Sequence, residues 1–164
     1  MSVSEAWGEW VAEMGRWDLF GGLTYDPKRC RPDGRGATIA PGADVVKRHA
    51  LRWLSEAPKT LGRPVEAAVL ALEYQRNGWP HLHPLLRIEG GLRGGEIRAL
   101  GTAWYQLHGG NRLEIPRSHA DVSAYAAKYL TKDLARGDVI FWPLRGDLRE
   151  KQVFLGRSYS ASGQ

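Results

Sequence analysis

Two apolar runs joined by a three-residue polar turn constrain this chain more than any other feature. Pro64 to Gln75 carries the run Ala-Ala-Val-Leu-Ala-Leu-Glu-Tyr, and Trp79 to Ile88 follows after Arg76-Asn77-Gly78. Runs of this length, bounded by turn residues, read as the two strands of a β-hairpin. The length of the turn then decides which side chains share a face, because a slip of one residue sends every side chain to the other side. A two-residue loop of Asn77 and Gly78 would pair Tyr74 with His81 and set Glu73 opposite Leu82. A three-residue loop pairs Glu73 with His81 and Ala71 with His83, and a five-residue loop keeps that parity. Three-residue hairpins want a left-handed residue near their end, and Gly78 supplies one. The sequence therefore predicts an odd loop, Gly78 at positive φ, and Glu73 on the face of His81 and His83.

That face has metal-ligand chemistry. His81 and His83 flank Leu82, and residues two apart on a strand point the same way, about 7 Å apart along the backbone. Neutral imidazoles bind first-row metals, and an added carboxylate suits the set to a harder ion such as Mn²⁺ or Mg²⁺. Glu73, His81 and His83 are the candidate ligands. The competing account is coincidence: the chain has five histidines, and Pro80 and Pro84 bracket the pair where prolines disfavour a central strand.

The remaining periodicities give an α+β chain with a mostly antiparallel sheet. Ser2 to Met14 reads as a short helix with Ser2 and Glu5 at capping-box spacing. Trp17 to Tyr25 reads as a strand, and Ala43 to Ala57 as a helix closed by Pro58. Glu96 to Leu107 reads as a helix with Ile97, Leu100, Ala103, Trp104 and Leu107 inward, and Arg112 to Ile115 as a short strand. Ser118 to Asp133 is a further helix, and 138–142 and 152–155 read as late strands. The order is α-β-α-β-β-α-β-α-β. No repeat or linker divides it, so residues 1–164 are expected to form one domain, with a helix over 1–15 and a core over 16–164.

On the helix after Ser118, Tyr125, Lys128, Tyr129 and Lys132 stand at i, i+3, i+4 and i+7 and share one face. A phenol attacks as phenolate, its unperturbed pKa is near 10, and a neighbouring ammonium favours the charged form and binds phosphate oxygens. Val122, Tyr125, Ala126, Tyr129 and Leu130 also make an ordinary apolar stripe, and core tyrosines at this spacing are commoner than catalytic ones.

Charge and composition favour a polyanionic partner only weakly. The net charge is +5, with seven tryptophans and six tyrosines that either build the core or offer faces to unpaired bases. Lys28, Arg29, Arg31 and Arg35 lie in a Pro/Gly-rich stretch, and Lys47, Arg48 and Arg52 on the helix beyond it. Both groups read either as solvated surface or as contacts to phosphate. Cys30 is the single cysteine, which excludes an internal disulfide and a cysteine-based zinc site. The longest apolar stretch, near Ala67 to Leu72, is far shorter than the roughly 20 residues of a membrane span. A cytoplasmic protein, in a bacterium or an infected host cell, is expected. His49, His108 and His119 fall outside the metal spacing and read as surface or core histidines.

Together these pieces resemble the HUH endonucleases, the rolling-circle replication initiators of phages, plasmids and small DNA viruses, in their two-tyrosine form. Phe20-Gly-Gly-Leu-Thr-Tyr25 resembles the first motif, Trp79-Pro-His-Leu-His83 the histidine–hydrophobic–histidine motif, and Tyr125-Ala-Ala-Lys-Tyr129-Leu-Thr-Lys132 the third. The motifs appear in the family's order from Trp17 to Asp133, with Glu73 where geminivirus-type initiators carry their acidic ligand. Gly21-Gly22 departs from the first motif, and no Gly-x-x-x-x-Gly-Lys phosphate loop accompanies the three.

The resemblance implies a ferredoxin-like or RRM-like sheet carrying a divalent metal, with the tyrosine helix packed above it. It implies nicking and rejoining of single-stranded DNA at a replication origin through a 5′-phosphotyrosine. Tyr129 would attack first, on its match to single-tyrosine plasmid initiators, and Tyr125 would serve a second transfer. Lys128 and Lys132 would steady phosphate or phenolate. Thr24, Lys28, Arg29, Arg31, Lys47, Arg48 and Arg52 are counted among residues facing DNA. A monomer is expected, with a host or phage helicase as a further partner. A non-catalytic single-strand-binding module, a single-strand transposase of the same class and an unrelated metal-dependent hydrolase are the rival readings.

Overall fold

The computed structural model describes residues 2–29, 39–130 and 139–142. Along the chain these form α1 (Val3–Glu13), β1 (Leu19–Thr24), α2 (Ala43–Leu61), β2 (Val65–Tyr74), β3 (Pro80–Ile88), α3 (Gly94–Leu107), β4 (Asn111–Glu114), α4 (His119–Leu130) and β5 (Val139–Trp142). This is the α+β order read from the periodicities. The strands make one sheet in the order β4-β1-β3-β2-β5, with every neighbouring pair antiparallel. The stretch β1-α2-β2-β3-α3-β4 has the β-α-β-β-α-β order of a ferredoxin-like fold. Helix α1 precedes it, and α4 and β5 follow.

Strand alternation divides the sheet between two cores. Leu19, Leu23, Leu70, Leu72, Leu82 and Leu86 face α2 and α3 and meet Trp53, Leu54, Leu100 and Trp104. Val69, Ala71, Leu85 and Phe141 face α1 and α4 and meet Val11, Ala12, Val122 and Ala126. Helices thus cover both faces. Helix α1 is fixed by the Ser2–Glu5 capping box: the Glu5 amide donates to Ser2 Oγ at 3.2 Å and the Ser2 amide to Glu5 Oε2 at 2.6 Å. It then lies against α4 at Gly8, where a Cβ would sit 2.5 Å from the Ser123 carbonyl oxygen.

The central hairpin has the parity its turn residues demand. The Gln75 amide donates to the Trp79 carbonyl and the Gly78 amide to the Gln75 carbonyl, each at 2.9 Å. These bonds close a three-residue loop of Arg76, Asn77 and Gly78, with Gly78 at φ +80°. Glu73 pairs with His81 and Ala71 with His83.

Three expectations need adjustment. Helix α2 does not stop before Pro58 but carries it inside and runs to Leu61. Ala57 and Leu61 extend the buried stripe of Val46, Ala50, Trp53 and Leu54, so packing outweighs the lost proline N–H. Gly62 ends the helix at φ +66°, its amide donating to the Pro58 carbonyl. Leu107 does not turn inward but is 53% exposed. His108 packs tilted against Trp104 in its place, with ring centroids 4.4 Å apart. Helix α3 starts two residues early, where Glu96 Oε2 accepts from the Arg93 amide and Glu96 pairs with Arg63 at 2.7 Å. Arg31, Arg35, Lys132 and the strand expected at 152–155 lie outside the described residues. No helix among the described residues is long and apolar enough to cross a membrane.

Because a side chain at φ +80° meets its own carbonyl, Gly78→Val is expected to destabilise the fold by about 1–2 kcal/mol. Urea unfolding should show a lower midpoint at an unchanged slope; an unchanged midpoint would mean the turn does not need its glycine.

Candidate active site

The site grows from two rows of the sheet on the face of α1 and α4. In one row His81 stands between Glu73 on β2 and Thr24 on β1. In the next, His83 pairs with Ala71 on β2, and the β1 register brings Gly22 to its other side. Small neighbours on both sides leave room for the imidazole. The rings of His81 and His83 lie 4.4 Å apart. One ligand atom from each of Glu73, His81 and His83 falls within 4.8 Å of the others.

The glycine pair of β1, which weakens a strand on sequence grounds, is required by its neighbours. A Cβ on Gly22 would sit 2.5 Å from Nε2 of His81, so the ring occupies the space a side chain would take. A Cβ on Gly21 would strike the Arg112 carbonyl on β4.

Helix α4 lays its two phenols over this corner. The Tyr129 ring stacks on His83 with centroids 3.7 Å apart and planes 18° from parallel. Tyr125 packs edge-on against Phe20 at 4.9 Å, its hydroxyl 3.2 Å from His83 Nδ1 and donating to the Gly21 carbonyl. Lys128 places Nζ 4.8 Å from the Tyr129 ring centre while remaining exposed. Phe20, Gly22, Thr24, His81, His83, Asn111, Arg112, Tyr125 and Tyr129 line one open groove of about 570 Å³.

The donor set fits a divalent cation. His83 is 5% exposed, and its Nε2 lies 2.9 Å from Glu73 Oε2. Burial first, then the charge of His81, pull the His83 imidazole down to about 4 against the opposing pull of Glu73. At neutral pH the ring is uncharged, as a metal ligand must be. Two nitrogen donors and a carboxylate so close suit an ion bound at about 2.0–2.2 Å. Burial also pushes the Tyr125 phenol up.

The structure thus brings together Glu73, His81, His83, Tyr125, Lys128, Tyr129 and Thr24. Thr24 donates through Oγ1 to the Gly110 carbonyl at 3.0 Å. The basic residues gather elsewhere. Arg29 lies over the Tyr105 ring at 4.0 Å. Burial first, then the charges of Arg48 and Arg52 on exposed positions of α2, depress His49; burial, then His49 and Arg52, depress His108. Neither these arginines, Lys28 nor Lys47 lines the groove. His49 and His108 stack at 4.2 Å, and Tyr25 reaches His49 Nδ1 at 3.2 Å. Sequence reasoning missed Phe20, Asn111 and Arg112. The glycine pair was the available signal for a close approach at β1; nothing in the short β4 motif marks Asn111 or Arg112.

Three depressed imidazoles set the pH response of the metal-free protein. Burial is the leading cause at His49, at His83 and at His108, and the last two fall to about 4. The unfolded chain takes up these protons near pH 6.5; in the folded chain His83 and His108 take theirs only near pH 4 and His49 below its ordinary value, so stability is full above 6.5 and is lost as pH falls below it. Urea midpoints of metal-free protein should drop steadily from pH 7 to pH 4.5; a flat profile would refute the buried neutral rings. Gly22→Ala should weaken Mn²⁺ binding about tenfold or more by displacing His81, read by titration calorimetry. Set against family models, curated proteins and solved structures, the chain matches none.

Proposed function

We propose that this chain is a metal-dependent endonuclease and strand transferase of single-stranded DNA, acting through a tyrosine and initiating rolling-circle replication at an origin. One observation carries the reading: the Tyr129 ring lies against His83, a member of the Glu73–His81–His83 group, in a groove open to solvent. A phenol and the two imidazoles of a cation site in one open groove, with an ammonium beside the phenol, are parts that phosphoryl transfer to a protein hydroxyl requires.

Glu73, His81 and His83 would hold the ion, Mn²⁺ or Mg²⁺. When bound, it supplies charge neutralisation at the phosphate oxygens. Tyr129 Oη attacks phosphorus in line, its bond to phosphorus forms, and the bond to the 3′ oxygen breaks. The phenol proton leaves and the 3′ oxygen gains one, giving a 5′-phosphotyrosine and a 3′-hydroxyl. One ester replaces another, so the reverse attack by a 3′-hydroxyl rejoins the strand. Lys128 is placed to meet a phosphate oxygen as a point charge.

A module that binds single strands by stacking bases on an open sheet is disfavoured by α1 and α4, which pack on the face that such binding would use. A hydrolase without covalent capture leaves the stacked phenol without a role.

Incubation with Mn²⁺ and a pool of single-stranded oligonucleotides is expected to give a covalent protein–DNA adduct, seen as a mass increase. Chelation should abolish it, and Tyr129→Phe should lower it by at least 10²-fold. An adduct of undiminished yield in Tyr129→Phe would remove this residue as the first nucleophile.

A further inference from the structure

We infer that Tyr125 is a positioning residue for the metal site rather than a second nucleophile: its hydroxyl fixes which nitrogen of His83 faces Glu73. The inference deepens the metal-dependent reading above. It follows from the protons available along five neighbouring groups, from Pro84 through Gly21, Tyr125 and His83 to Glu73.

The chain of groups begins at Pro84. Phe20 pairs with Leu85 and Leu23 with Leu82, so Gly21 falls opposite Pro84 in the same register. The Thr24 amide bonds to Gly110 on the β4 side, and alternation turns the polar groups of Gly21 the other way, toward β3. Pro84 has no N–H to offer there. The Gly21 carbonyl takes its donor from above the sheet instead, from the Tyr125 hydroxyl.

A phenol has one proton. Spent on Gly21, it leaves Tyr125 Oη with lone pairs only, and His83 Nδ1 lies 3.2 Å away. That contact is a hydrogen bond only if Nδ1 carries the imidazole proton. In the neutral ring Nε2 is then a lone pair, 2.9 Å from the Glu73 carboxylate. Two acceptors at that separation call for a cation between them. The reverse arrangement, with Tyr125 donating to Nδ1, would strip the Gly21 carbonyl of the donor that Pro84 cannot replace. Ligating histidines usually donate their second ring nitrogen to an oxygen that sets tautomer and angle. Here a tyrosine on α4 takes that part, and so couples the helix that carries Tyr129 to the strand that carries the ligands.

The test compares Tyr125→Phe with Tyr129→Phe in the full chain. Mn²⁺ affinity is read from the resonance of the free ion, and adduct yield from mass spectrometry across a Mn²⁺ titration. Tyr125→Phe is expected to weaken Mn²⁺ binding about tenfold, the lower end for such partners. Its adduct yield should fall at low Mn²⁺ and recover at high Mn²⁺. Tyr129→Phe should keep parental Mn²⁺ affinity and lose the adduct. Parental Mn²⁺ affinity in Tyr125→Phe overturns the inference. So does an adduct lost in Tyr125→Phe at saturating Mn²⁺ but kept in Tyr129→Phe, which would make Tyr125 the nucleophile. If the parent forms no adduct, the nicking reading fails, and the affinity comparison still decides the role of Tyr125. A measurement free of folding effects uses the unsubstituted chain loaded with Zn²⁺. Its His83 Nδ1 proton, assigned with His83→Asn, should be visible, downfield and slow to exchange. A metal-bound Nδ1 with the proton on Nε2 overturns the proposal.

Discussion

Everything at the site depends on the parity of one turn. Arg76, Asn77 and Gly78 make a loop of three residues, and that odd number sets Glu73 beside His81 instead of behind it. A sheet has no gradual way to correct a register error, since the side-chain period is two. The left-handed conformation of Gly78 therefore reaches the Glu73–His81 pair through Tyr74, Gln75, Trp79 and Pro80 alone. The apolar members of the same strands reinforce that parity. Leu70, Leu72, Leu82 and Leu86 fill the core under α2 and α3, whereas Val69, Ala71 and Leu85 fill the one under α1 and α4. A shift by one would exchange the two sets and bring Glu73 and the histidines into the wrong core, a cost far above that of the turn itself.

The residues that look unfavourable for a strand are those that create the site. Gly21 and Gly22 lack side chains where the Arg112 carbonyl and the His81 ring already stand. Pro84 withholds a donor from the ladder, and the carbonyl so released becomes the anchor for Tyr125. Irregularities of this kind cost stability in an isolated strand. Here each is answered by a named group, which keeps the ladder from carrying an unsatisfied polar atom.

Much of this was legible in the sequence, for reasons tied to period and parity. The element order, the capping box at Ser2, the odd loop and the gathering of Glu73, His81 and His83 all follow from spacings within single elements or across one short turn. The extent of α2 past Pro58 was not legible, because burial of Leu61 is a tertiary fact that overrides the local effect of proline. Leu107 was misplaced for a similar reason: helical periodicity cannot tell that His108 caps Trp104. The tyrosines were ambiguous between core and site because they belong to both. Tyr125 packs on Phe20 as a core residue would, while its hydroxyl meets Gly21 and His83. The basic side chains of α2 share a sequence neighbourhood with the first motif but lie among His49 and His108, away from the groove.

The second helical layer explains why a buried imidazole can serve an open groove. A sheet face left to water would keep His83 solvated, able to charge at mild acidity and competing for protons with any metal. Helices α1 and α4, held together at Gly8 and Ser123, cover that face and remove water from His83, yet α4 reaches only as far as Tyr125 and Tyr129 before the groove opens toward β4. One side of the imidazole is thus dry and fixed by Tyr125 and Tyr129, and the other looks toward Glu73 and His81. Covering the sheet removes the stacking surface that single strands use on open folds, and in exchange it holds a neutral ligand beside a phenol. On the proposed reading that combination suits chemistry on one phosphate better than binding of many bases, with α4 contributing to both the dry side and the open one.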